Sequence, residues 1–263
     1  MPSETIETDS HILVTIACLS DNYAFLLREK KTGATALIDV PEAAPIVAEL
    51  KARDWTLDQI WLTHHHFDHI DGLPELVKTH AAPVYGAAAD AHRLPPLDTE
   101  LRDDDSFLLG ETDVHVIDVS GHTVGHIALH APAAHAAFTA DSLMALGCGR
   151  LFEGTPEQMH ASLQKMAAWP DDTHICSGHE YTASNARFAL TVDPDNKALQ
   201  QRTRDIETAR AEDRFTVPAS MQLERATNPF LRCGDPSVRN ALGAKNATDE
   251  EIFAELRKRK DNF

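Results

Sequence analysis

Thr63-His64-His65-His66-Phe67-Asp68-His69 places four potential metal ligands, His64, His66, Asp68 and His69, within six residues. The preceding Gln59-Ile60-Trp61-Leu62-Thr63 is apolar and β-branched and reads as a short buried strand, while Ile70-Asp71-Gly72-Leu73-Pro74-Glu75 reads as a turn into a helix. The run therefore stands at the carboxyl end of a strand. Imidazoles two residues apart on extended backbone project to one side, and the tight turn brings Asp68 and His69 back toward a neighbouring point. One loop can thus feed two adjacent metal positions. A lone histidine here would read as a surface or core imidazole, but a mixed His/Asp cluster is a donor set for zinc, iron or manganese.

Three later strand ends repeat the arrangement. The apolar run Val114–Val119 leads into Ser120-Gly121-His122-Thr123, Phe138-Thr139-Ala140 into Asp141-Ser142, and Ile175-Cys176-Ser177-Gly178 into His179-Glu180. Taken singly, an Asp or His in such a place is a cap or turn residue. Together the three repeat what the histidine run does.

A formal charge of −17 over 263 residues argues against a nucleic-acid surface, since neutralising phosphates needs clustered Lys and Arg. An anionic substrate would have to be met by a local basic patch. The acidic, polar start Met1-Pro2-Ser3-Glu4-Thr5-Ile6-Glu7-Thr8-Asp9 lacks the basic and apolar regions of a secretory signal, and no apolar stretch is long enough to span a bilayer. The four cysteines, Cys18, Cys148, Cys176 and Cys233, show no Cys-x-x-Cys spacing and read as free thiols of a reducing compartment, which implies a cytoplasmic protein. Nothing marks an obligate interface, so a monomer is expected.

Strand patterns dominate the first part of the chain: 12–18, 23–28, 35–40, 59–63, 84–85, 106–109, 114–119, 127–130 and 136–139. A helix is expected over 42–53, and Pro156 opens another with Met159, Leu163, Met166 and Trp169 on one face, before a strand at 173–176. This pattern predicts an α+β fold of two packed mixed sheets with helices outside. After Tyr181 the chain reads as helix, at 185–190, 196–213 and 249–260, the last behind a Thr248 cap. The expected division is a catalytic domain over 1–181 and a smaller helical, substrate-binding domain over 182–263.

The order Thr-His-x-His-x-Asp-His, Gly-His-Thr, strand-terminal Asp and Gly-His resembles the metallo-β-lactamase superfamily. Within it the chain is similar to the glyoxalase II family, the hydroxyacylglutathione hydrolases. The narrower likeness rests on the histidine run, Cys148-Gly149-Arg150-Leu151-Phe152-Glu153-Gly154, Ser177-Gly178-His179-Glu180-Tyr181-Thr182, Asn228-Pro229-Phe230-Leu231-Arg232 and the ending Leu256-Arg257-Lys258-Arg259-Lys260-Asp261-Asn262-Phe263. The resemblance implies a four-layer αββα sandwich holding two divalent ions, zinc first, with iron or manganese as the other options. It puts His64, His66 and His122 on the first ion, Asp68, His69 and His179 on the second, and Asp141 on both. It also makes Asp39 a partner that orients the histidine loop, turns His65 away and leaves His126 structural.

The implied reaction is hydrolysis of S-2-hydroxyacylglutathione thioesters, S-D-lactoylglutathione to D-lactate and glutathione, the second step of methylglyoxal detoxification. Two divalent ions, two carboxylates (Asp68 and Asp141) and a bridging hydroxide leave a net charge of about +1, which favours the attacking hydroxide and an anionic tetrahedral intermediate. A thiol of pKa about 8.5 leaves readily, so no separate general acid is required. Glutathione carries two carboxylates and one ammonium. The basic run Arg257-Lys258-Arg259-Lys260, read by itself, is a helix end suited to the macrodipole. The resemblance instead assigns Arg257, Lys260 and Tyr181 to glutathione. Arg150 and Phe152 stand where better-known members carry Lys and Tyr; Arg150 keeps the charge and Phe152 loses a hydroxyl.

Rival readings are a persulfide dioxygenase with one iron, a lactonase or secreted β-lactamase of the same superfamily, and a non-catalytic metal- or glutathione-binding module. The complete second ligand set and the basic carboxyl-terminal run speak against the one-iron enzyme, and the missing signal against the secreted one.

Overall fold

The computed structural model describes residues 3–263, which fold as two units: residues up to Asp118 with Val124–Ala140, and Val119–Thr123 with Asp141–Phe263. In the first unit β1 (Ser3–Glu7), β2 (His11–Cys18), β3 (Asn22–Glu29) and β4 (Thr35–Ile38) pair antiparallel in chain order. From β4 the direction changes. Parallel neighbours need a crossover on one face, and α1 (Ala43–Arg53) supplies it to β5 (Gln59–Trp61). The single-turn helices α2 (Phe67–Ile70) and α3 (Leu73–Leu76) carry the chain on to β6 (Val84–Ala87), and β7 (Thr99–Leu101) closes the seven-stranded sheet.

Alternation along these strands sorts the core into two faces. Leu26, Leu37, Ile60 and Leu62 meet Ile46 and Leu50 of α1 and Leu73 and Leu76 of α3 in one apolar cluster. The intervening positions face the other way, where Phe25 and Trp61 pack on Phe138 with ring centres 5.8 and 6.0 Å apart, and Trp61 meets Phe107 edge-on at 5.3 Å. Phe107 and Phe138 belong to an antiparallel run of β8 (Ser106–Leu109), β9 (Thr112–Asp118), β10 (Ile127–Ala131) and β11 (Ala136–Ala140). In β9 buried Thr112, Val114 and Val116 alternate with exposed Asp113 and His115, as a sheet with one wet face requires. Phe138 is fully buried between the layers, and truncating such a ring to Ala costs roughly 3–5 kcal/mol.

The second unit holds a small hairpin of β12 (Leu143–Met144) and β13 (Gly147–Cys148), then α4 (Pro156–Ala167), entered through a Thr155–Gln158 capping box with Pro156 at the first helical position. Strand β14 (His174–Ser177) pairs antiparallel with β15 (Ala219–Ser220). The helical run comprises α5 (Thr182–Val192), α6 (Lys197–Ala211), α7 (Met221–Thr227), α8 (Pro236–Leu242) and α9 (Asp249–Asp261). Leu146, Ala186, Ala189, Leu199 and Ile206 form its apolar seam, while Phe230 meets Phe188 and Phe253 at 6.1 and 5.6 Å. Thr248 caps α9 in a capping box with Glu251; acidic residues fill its first turn and Lys258, Arg259 and Lys260 its last, matching the helix dipole at both ends. Among the described residues no helix is long and apolar enough to cross a membrane.

Candidate metal centre

Asp39, just past β4, organises the histidine loop of the first unit. It adopts the left-handed conformation at φ 56°, which short polar side chains tolerate. Its carboxylate accepts three hydrogen bonds: from Thr63 N–H at 2.9 Å, from Thr63 Oγ1–H at 2.8 Å and from His69 Nδ1–H at 2.8 Å. Protons are thereby assigned. A carboxylate only accepts, so His69 carries its proton on Nδ1 and leaves Nε2 as a lone pair. Thr63 gives its single hydroxyl proton to Asp39 and can only accept from His64 Nδ1, 3.0 Å away, so His64 also presents Nε2.

The turn that carries Asp68 and His69 is helical. His66 precedes α2 in extended conformation, and its carbonyl accepts from His69 N–H at 2.9 Å. Val40 N–H donates to the His69 carbonyl and Gly72 N–H to the Val40 carbonyl, pinning both ends of the turn to the Asp39 segment. Asp68 is fixed by Asn22, whose amide donates to its carbonyl and to Oδ2, both at 3.0 Å. His65 points to the buried Asp90 at 2.8 Å, and Asp90 also accepts from Arg93, whose guanidinium donates to the Val124 carbonyl as well. His126 stacks on His64, with rings 4.6 Å apart and 12° from parallel. Sequence reasoning missed Thr63, Asn22 and Asp90 because their partners lie up to 46 residues away in the chain or are backbone atoms.

In the second unit His122, Asp141 and His179 converge. Asp141 Oδ2 lies 3.4 Å from His122 Nε2 and 3.3 Å from His179 Nε2, so two imidazole nitrogens approach one carboxylate oxygen. His122 donates from Nδ1 to the Arg150 carbonyl at 2.7 Å, which leaves Nε2 as its lone pair. The approach depends on Gly149, where a Cβ would meet the Asp141 carbonyl at 1.9 Å and His122 Nδ1 at 2.9 Å. The three side chains are buried. A buried imidazole whose Nδ1 donates to a carbonyl, as in His122, with a carboxylate oxygen beside its Nε2 and a second imidazole Nε2 on the same oxygen, fits a divalent cation, and neutral imidazole is its preferred nitrogen donor.

The profile of the Metallo-beta-lactamase superfamily matches residues 20–179, and that of the Hydroxyacylglutathione hydrolase C-terminus matches residues 180–263. The hydroxyacylglutathione hydrolase of Ruegeria pomeroyi is 62% identical over 251 residues, covering 95% of this chain and 98% of that protein. That of Roseobacter denitrificans is 59% identical over the same shares. The chain belongs to the hydroxyacylglutathione hydrolase family. Its fold is the metallo-β-lactamase fold extended by that family's C-terminal segment. The crystal structure of the BLEG-1 B3 metallo-beta-lactamase superposes with a TM-score of 0.65 at 21% identity, over 83% of this chain and 99% of that one, a likeness of fold.

Phe152, Tyr181, Arg150, Arg257 and Lys260 all lie in the second unit. Phe152 packs edge-on against His122 at 5.3 Å and Tyr181 stacks on His179 at 4.7 Å, and both aromatics are exposed. Arg257 is buried: it donates to the Cys148 carbonyl at 2.8 Å and clasps Asp261, with its guanidinium over the Phe230 ring. The exposed Arg150 reaches the same Asp261 at 3.6 Å. Lys260 lies over Phe188 and Phe263 and near Ser184. Burial, followed by the neighbouring charges of Arg257 and Arg187, pulls its ammonium down to about 8.

Proposed function

We propose that this protein hydrolyses S-2-hydroxyacylglutathione thioesters, S-D-lactoylglutathione among them, to the hydroxy acid and glutathione at a centre of two zinc ions. The observation that carries the reading is the single Asp141 oxygen flanked at 3.4 and 3.3 Å by His122 and His179, in a chain of this family. His64, His66 and His122 are assigned to one ion, Asp68, His69 and His179 to the other, and Asp141 to both. Zinc suits these sets, in which imidazole predominates, without demanding a redox partner. When bound, the two cations supply a hydroxide at neutral pH and polarise the thioester carbonyl.

The chain's own residues prepare that chemistry. Asp39, through His69 and Thr63, and the Arg150 carbonyl, through His122, hold three imidazoles in the tautomer that offers Nε2. Asp68 and Asp141 bring the negative charge that limits the centre to about +1 once a hydroxide is counted. Glutathione leaves as a thiolate and needs no proton from the protein. The exposed rings of Phe152 and Tyr181 line the approach to His122 and His179. Tyr181 offers a hydroxyl, whereas Phe152 offers only its face. Arg150, Arg257 and Lys260 supply positive charge for the glutathione carboxylates, Arg257 while also holding Cys148 in place.

We further propose a monomer working in the cytoplasm, with residues 1–181 carrying the catalytic centre and 182–263 supplying glutathione contacts. A net charge of −17 opposes self-association, and four buried cysteines that form no disulfide suit a reducing compartment. The test is loss of thioester absorbance from S-D-lactoylglutathione, with zinc measured on the same sample. Turnover that tracks two zinc equivalents is expected, and a zinc-loaded protein without turnover would overturn the reading. The pH dependence of KM adds a second readout. Lys260 is cationic below about 8 and neutral above it, so KM should rise as pH passes about 8, and Lys260→Arg should flatten that rise.

A further inference from the structure

The hairpin β12–β13 has two residues in each strand, too few to stand by itself. Its backbone is held instead by side chains of the C-terminal helical run. Asn228 Nδ2 donates to the Met144 carbonyl at 3.2 Å and to the Gly147 carbonyl at 3.0 Å. Asn185 Nδ2 donates to the Ala145 carbonyl at 3.0 Å, Glu224 Oε2 accepts from Leu146 N–H at 2.9 Å, and Arg257 Nη1 donates to the Cys148 carbonyl at 2.8 Å. Five consecutive residues are thus gripped one by one. The grip is rigid in its own right: Asn228 also donates to Glu224 Oε2 at 3.0 Å, and Glu224 pairs with Arg202, all of them buried.

The chain leaves this grip straight into the Asp141–His122 site. Gly149 N–H donates to the Ser142 carbonyl at 3.2 Å, Gly149 packs on the Asp141 carbonyl and His122 Nδ1, the Arg150 carbonyl receives His122 Nδ1–H, and Phe152 N–H returns to the His122 carbonyl at 3.1 Å. One continuous backbone therefore joins the amide side chains of Asn185 and Asn228 to the tautomer and direction of an imidazole. We infer that Asn185, Glu224 and Asn228 are positioning residues for His122, so that the helical C-terminal run sets the affinity of the metal centre. The inference rests on the proposed assignment of His122 to an ion. It also gives Asn228, the first residue of the Asn-Pro-Phe-Leu-Arg motif, a physical role: it caps the Pro229–Leu231 turn through Oδ1 while Nδ2 holds the hairpin.

The experiment compares Asn185→Leu and Asn228→Leu with Val238→Ala, which removes buried methyl groups from α8 outside the grip. Zinc affinity is read by chelator competition, ligand geometry by the absorption spectrum of the cobalt-substituted protein, and catalysis by kcat and KM separately. The two Asn variants should release one zinc equivalent at roughly 10–100-fold weaker affinity, lose kcat in similar proportion with KM within about twofold, and alter the cobalt spectrum. Val238→Ala should lower Tm and move none of these. Should Asn228→Leu fail to fold, Gly147→Ala serves in its place, because its Cβ would stand 2.7 Å from Asn185 Nδ2 and push that amide off its carbonyl. Wild-type zinc affinity and cobalt spectrum in the Asn variants, or the same losses in Val238→Ala at equal Tm, would overturn the inference alone. A wild-type protein that binds no metal would overturn the metal-centre reading itself, and the inference with it.

Discussion

Thr63 shows how little of a metal site needs to be metal ligand. Its backbone N–H and its hydroxyl both go to Asp39, and the same hydroxyl faces His64 Nδ1, so one buried threonine transmits the Asp39 carboxylate to a second imidazole. Thr63→Val keeps the volume and the backbone bond and removes the relay. Asp39 then loses one buried donor, at a cost of about 1–3 kcal/mol in stability, and His64 loses the contact that fixes its tautomer. Zinc affinity should fall roughly 10–100-fold, read by chelator competition; unchanged affinity with reduced stability would show that Asp39 acts through His69 alone. His64, His66, Asp68 and His69 stand out in the sequence as candidate ligands because their spacing is local. The contacts of Thr63, Asn22 and the Arg150 carbonyl are not: a hydroxyl, an amide and a backbone oxygen leave no signature until chain segments 24, 46 and 28 residues apart meet.

Elements with a long apolar period were legible, and those built by tertiary contacts were not. α1 and α4 follow the expected ranges closely, and the Thr248 cap of α9 is present. α2, by contrast, is a single turn lying across the second half of the ligand run, where the sequence suggested the helix came later. A single turn has no cooperative length of its own, and here it is held by bonds to Val40 and by the close fit of Gly72. β1, β7, α7 and α8 also escaped the pattern, being short or polar, and β1 exists because β2 offers it an edge from Ile12 to Ile16. Gly72 tests how tightly α2 is clamped. A Cβ there would lie 2.7 Å from the Glu42 Cα and 2.8 Å from the Val40 carbonyl, backbone atoms that cannot swing away. Gly72→Ala should therefore cost about 1–3 kcal/mol in urea unfolding and weaken zinc binding as His69 shifts. Gly243→Ala is the comparison: its φ of 72° carries a backbone penalty, but no atom lies within 4 Å of the new Cβ, so it should lose stability by roughly 1 kcal/mol and keep zinc affinity.

At the scale of the molecule, the order of the candidate ligands along the chain was enough to indicate the architecture, because they recur in the segments that follow separate strands, at 64–69, 122, 141 and 179. That same dispersal ties stability to the metal. The proposed ligands come from the ends of four separate strands, so an ion that holds them binds the folded chain and has no equivalent site in the unfolded one. Free zinc at a thousandfold excess over its Kd then contributes about 4 kcal/mol per ion. Charge acts in the same direction: the chain carries −17 by itself and about −13 with two divalent cations, and a more negative chain repels itself more strongly. Chelation should therefore lower Tm by on the order of 10 °C or more, taking roughly 2–4 °C per kcal/mol for a chain of this size. Salt separates the two causes. Raising ionic strength shortens the screening length from about 30 Å at 0.01 M to about 8 Å at 0.15 M and should recover only the part due to repulsion, whereas returning two equivalents of zinc should recover all of it. A Tm that stays put when two measured equivalents of zinc are stripped would mean that the ligand-bearing strand ends hold their places without the ions, and that the cations serve catalysis alone.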